Sequence, residues 1–78
     1  MPDCQVECWF EGNDIQVFVV NNTTVFKAIK YTCVWEHEDG STFTESATLP
    51  AAAMGIGQGV RQTLPKKPVR VKSKSATC

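Results

Sequence analysis

Four cysteines in 78 residues, at positions 4, 8, 33 and 78, constrain this chain more than any other feature. A chain of this length buries only about 60% of its unfolded surface, so its apolar core leaves a thin margin of stability. Domains this small are commonly held by disulfides, a metal or a partner chain. The cysteines are therefore either two disulfides in an oxidising compartment or metal ligands in a reducing one. Cys4 and Cys8 have three residues between them, not the two of a zinc knuckle, and no second close pair exists. The spacing favours disulfides.

What the bridges would join follows from the hydrophobic pattern, which is β throughout. In "CQVECWF", Cys4, Val6, Cys8 and Phe10 share one parity and Gln5, Glu7, Trp9 and Glu11 the other, the mark of a half-buried strand. After the turn cluster "EGND", "DIQVFVV" places Ile15, Val17 and Val19 on one face, and "NNTT" ends it. "FKAIKYTCVWEH" is the longest strand, with Ile29, Tyr31, Cys33 and Trp35 together. "EDGS" then supplies the positive-φ positions of a tight hairpin. "STFTESATL" returns with Phe43, Ala47 and Leu49 inward and Glu45 as the exception. "PAAAMGIGQG" reads as a loop whose Ala-Ala-Ala-Met part is too short for a lasting helix. "VRQTL" is a short fifth strand, and "PKKPVRVKSKSATC" is a sixth, entered through two prolines that suit a sheet edge. The expectation is one all-β domain over residues 1–78: a small antiparallel, immunoglobulin-like β-sandwich of about six strands, stapled by disulfides.

Strand direction then discriminates among the three pairings. Cys4 and Cys8 in one strand would lie about 13 Å apart, beyond the roughly 7 Å a bridge tolerates. Of the remaining two, Cys8–Cys33 with Cys4–Cys78 matches strands that alternate in direction, since Cys4 begins the first strand and Cys78 ends the last. One obstacle stands: Cys78 has the parity of Arg70, Lys72 and Lys74, the outward set. A bulge or loss of strand near Ser75-Ala76 is required.

No catalytic constellation can be assembled. His37, the only histidine, sits among Glu36, Glu38 and Asp39 in "CVWEHEDGST". Trp35 and His37 share a strand face while Glu36 points to the other, so the carboxylates do not converge on the imidazole. Cys33 and His37 are about 13 Å apart along a strand, too far for a nucleophile–base pair. The stretch reads as a solvated turn, with no metal site and no cofactor implied.

Four features are candidates for binding. Residues 51–78 hold six cations and no acid, while residues 1–50 hold all eight acids. Such a split either marks a pole for anionic partners or brings acidic early strands beside a basic late one, which is the favoured reading. Arg70, Lys72 and Lys74 alternate with Val69 and Val71, a basic ladder that fits an anionic polymer or serves to protect an edge strand from aggregation. Trp9, opposite in parity to the cysteines, is either an exposed anchor for a partner or packed under another layer. Asn21 and Asn22 each begin an N-x-Thr sequon.

The run from Val17 to Pro50 resembles the FxLYD-type family of small immunoglobulin-like domains of bacterial envelope and secreted proteins. The shared elements are a Val-rich strand ending in Asn plus a Thr turn (Val19, Asn21, Thr23), an aromatic before Asp-Gly (Trp35, Asp39, Gly40), and a strand ending Leu49-Pro50. The family's Pro-Gly-Glu turn and Phe-bearing strand are replaced here by "AAAMGIGQGVRQTL", and the cysteines are not a family hallmark. The resemblance implies an extracytoplasmic, non-catalytic accessory domain.

Together these readings point to a secreted or periplasmic binding module for a protein or polyanion, with no specific nucleic-acid recognition. The alternatives are a structural module of an envelope or virion assembly, or an intracellular Cys/His metal domain. No apolar run approaches the roughly 18 residues of a membrane span. Met1-Pro2-Asp3 reads as a start set where a leader was removed, which the genomic reading frame tests.

Overall fold

The computed structural model describes residues Met1 to Cys78 and contains strands and turns only. The strands are β1 (Cys4–Glu11), β2 (Asp14–Asn21), β3 (Lys27–His37), β4 (Thr42–Ala51), β5 (Ile56–Gln58), β6 (Gln62–Thr63) and β7 (Pro68–Thr77). They form two antiparallel sheets. One is ordered β1-β2-β5, with β6 also on β2; the other is ordered β4-β3-β7. The architecture is the expected small all-β one, with one more strand.

Parity decides which side chains meet between the sheets. Val6, Ile15, Val17 and Val19 from the first sheet share a core with Ile29, Tyr31, Cys33 and Trp35 from the second. Only 15 of 78 residues are buried, so cross-links carry a large share of the stability. Cys8 and Cys33 join β1 to β3 through the middle of this core, with Cα atoms 6.0 Å apart. Cys4 and Cys78 join the start of β1 to the end of the chain. This is the pairing that strand direction favours. Glycine is needed at the two tight turns, since Gly12 (φ 59°) and Gly40 (φ 86°) are left-handed.

Cys78 reaches the inner face by a bulge placed earlier than expected. Val71 pairs with Trp35 and Ser73 with Val34, so Lys72 is the extra residue. Beyond it Lys74 lies opposite Cys33 and Ala76 opposite Tyr31, which turns the parity of the chain's end inward. The shift thus occurs at Lys72 and not at Ser75-Ala76.

The glycine-rich loop is also more ordered than its composition suggests. β4 runs on through Pro50 and Ala51, a turn follows with Met54 left-handed (φ 55°), and Ile56–Gln58 pairs with β2. Glycine at 57 is what permits this: a Cβ there would sit 2.3 Å from the Pro50 carbonyl oxygen and 2.9 Å from Val19. The expected strand over Val60–Leu64 contracts to Gln62-Thr63. Gly59 N–H still donates to Val17 C=O, but the register gains a residue before Gln62 meets Ile15, and Val60 is pushed out to 84% exposure.

Candidate interaction surfaces

The turn at 38–41 is a hairpin, closed by His37 N–H to Ser41 C=O and by Gly40 N–H to His37 C=O. His37 itself is not solvated. It is buried, with Nδ1 3.2 Å from the Lys67 carbonyl oxygen, because the segment leading into β7 covers it. Asp39 accepts from Ser41 N–H and Oγ and from Lys66 Nζ. The Lys66 ammonium and the Ser41 donors hold its carboxyl well below the usual carboxylate range. Beside it lies an open depression of about 520 Å³ lined by Glu38, Asp39, Lys66, Lys67 and Val69. All four cysteines are spent in bridges, so none remains as a nucleophile or ligand.

Arg70, Lys72 and Lys74 are not brought together as a ladder. Arg70 lies on the outer face against Glu36 at 2.6 Å, Lys72 occupies the bulge, and Lys74 crosses to Glu7 of the facing sheet at 2.8 Å. Arg61 pairs with Asp14 and Lys66 with Asp39. Every ion pair therefore joins a cation from the late half of the chain to an acid from the early half. Acidic early strands and the basic late segment lie side by side and neutralise each other. The valine alternation fails too: Val69 is a second irregular position and is 47% exposed.

Trp9 is half-buried on the outer face of the first sheet, opposite Gln16. The Arg61 guanidinium covers it at 4.8 Å from the ring centroid, while also bonding Asp14. Arg61 lies in the unpaired segment between β5 and β6, where the register gains its extra residue. No feature of the sequence singles out Arg61, because its partners are about fifty residues away and depend on the register of β6.

Two further groups carry more than their sequence pattern suggests. Glu45 accepts from the Tyr31 hydroxyl at 3.0 Å and from the Gln62 amide, so it fastens β4 to β6 across the two sheets. Burial, then the hydrogen bond to Glu45, pushes the Tyr31 hydroxyl up to about 12. Asn21 is fully buried. Its amide donates to the carbonyls of Val25 and Ala51, and its Oδ1 accepts from Thr23 N–H and Oγ1. The Asn21 sequon is thus a structural clamp in the folded protein; Asn22 is partly exposed and donates to Pro2 C=O and Gln5.

Four of the exposed large apolar side chains lie at the pole away from the 38–41 hairpin. Val25 (56%), Phe26 (64%), Met54 (70%) and Ile56 (65%) lie on two segments tied together by Met54 N–H to Thr23 C=O and Asn21 N–H to Gly55 C=O. Lys27 and Lys30 follow Phe26 on β3 and have no ionic partner.

Comparison with protein-family models, with curated proteins and with solved structures finds no match to this chain. No helix is long and apolar enough to cross a membrane.

Proposed function

We propose that the chain is a non-catalytic binding module that works outside the cytoplasm and engages a protein through its apolar pole. Val25, Phe26, Met54 and Ile56, each more than half exposed, carry this reading. Solvent-facing apolar side chains on adjacent loops of a rigid scaffold are a common form of protein interaction site. The two disulfides support an oxidising, extracellular or periplasmic setting. Two antiparallel sheets that share one core and are joined by two disulfides support an immunoglobulin-like reading, and the resemblance to FxLYD-type domains implies the same role. The polyanion reading is weakened by Arg70 and Lys74, whose charges are neutralised by Glu36 and Glu7.

A photo-crosslinking side chain at Phe26 should capture a discrete protein from the native secreted fraction, while one at Thr63 should not. Retention on heparin above physiological salt, without capture at Phe26, would replace the protein partner with a polyanion. A structural role in an envelope or virion assembly is the second reading, favoured by the long unpaired edge of β4.

A further inference from the structure

The four sheet edges differ sharply in how they are guarded. β7 enters through Pro65 and Pro68, carries Arg70, Lys72 and Lys74, and is bulged twice. β1 is acidic on its outer face and is bridged to the end of β7 through Cys4–Cys78. β5 and β6 are short and interrupted. Prolines, lysines, bulges and short strands are the devices that keep edges from pairing. β4 has ten residues and is paired on one side only, to β3. From Thr42 to Leu49 it contains no proline, lysine or bulge, and its one charge, Glu45, is turned inward onto Tyr31 and Gln62.

The register identifies which backbone groups β4 leaves unpaired. His37 N–H donates to Ser41 C=O, so 37 and 41 form a hydrogen-bonded pair and the ladder alternates from there. Residues 43, 45, 47 and 49 turn their N–H and C=O toward β3. Thr42, Thr44, Ser46 and Thr48 turn theirs to the open edge. The 2.9 Å contact between the hydroxyls of Thr32 and Ser46 agrees, since side chains approach most closely at non-hydrogen-bonded pairs. At Pro50 the edge closes, because the Pro50 carbonyl packs on Gly57.

We propose that this edge pairs antiparallel with β4 of a second copy, about a two-fold axis at Ser46. In that register Ser46 faces the copy's Ser46 and Thr44 faces the copy's Thr48, each at a position whose backbone groups are free. On the inner face the half-buried Phe43 meets the copy's Leu49, and Glu45 meets the copy's Ala47. Phe43 lies opposite Leu49 and hydroxyl opposite hydroxyl, Glu45 faces only an alanine, and no like charges directly oppose each other. This self-complementarity makes a second copy the occupant. The contact is isologous and consumes the one unguarded edge, so assembly stops at two chains. Pairing through β4 leaves the apolar pole free.

Light scattering of the oxidised protein should give twice the 8.6 kDa chain mass, with a concentration-dependent return to one chain on dilution. Ser46→Lys should abolish the dimer and leave the near-UV spectrum intact, while Ser75→Lys, on the same sheet face but on β7, should leave the dimer unchanged. Under oxidation Ser46→Cys should cross-link to itself, whereas Thr44→Cys should cross-link only to a Thr48→Cys partner. A single-chain mass at millimolar concentration would overturn the proposal. A dimer that survives Ser46→Lys would move the interface elsewhere, and self-linking of Thr44→Cys would overturn the register.

Discussion

Asn21 uses both ends of its amide in a fully buried position, holding Val25 and Ala51 by their carbonyls and ordering Thr23. Asn21→Ala leaves those carbonyls without a partner and should destabilise the domain by roughly 2–4 kcal/mol in a urea titration. A loss under half a kcal/mol would mean that water replaces the amide. Tyr31, the only tyrosine, gives a second test at this scale. Its hydroxyl is held protonated up to about 12 against 10.0 in the unfolded chain. The stability it contributes is therefore fully present below pH 10 and lost as pH rises through about 12. Absorbance at the phenolate band should follow that midpoint, and Glu45→Gln should lower it only in part, because burial is the larger cause. Neither role is legible beforehand. Asn21 carries a sequon and Glu45 an odd parity, and both take their meaning from chain segments brought beside them by the fold.

The bulge at Lys72 sets which way the last six residues face. Deleting Lys72 keeps Ser73 opposite Val34, so both bridges should still form and no cysteine should alkylate before reduction. An extra serine after Lys74 turns Cys78 outward, and Cys4 and Cys78 should then alkylate freely in an intact-mass assay. Gly57 tests the other irregular element. Gly57→Ala forces a Cβ against the Pro50 carbonyl and should cost about 1–3 kcal/mol, with faster amide exchange at Ile56–Gln58 than elsewhere in β2's sheet. The long strands and the disulfide pairing were legible, since alternate apolar residues and strand direction fix both. β5 was not, because three glycines read as a loop when one of them is there to admit a carbonyl. The position of the bulge was also hidden: parity demands a shift somewhere between Arg70 and Cys78 but does not say where. His37 read as solvated because the covering segment, Lys66–Pro68, is thirty residues away.

As a whole the molecule is elongated, 42 × 19 × 17 Å, and both bridges run between its sheets. By loop length they contribute about 3.5 kcal/mol for the separation of 25 residues and about 4.5 kcal/mol for that of 74. Set against so small a core, the loss of both should unfold the chain. Reduction should abolish the near-UV signal of Trp35 in one cooperative step, and a reduced protein that keeps it would show that the core suffices. The Cys4–Cys78 bridge also bears on mechanics. Tension entering before Cys4 and leaving at Cys78 passes through two sulfur atoms and never reaches a hydrogen bond of either sheet. Strung in series with other domains, this one would behave under load as a link a few residues long, its fold kept off the line of force.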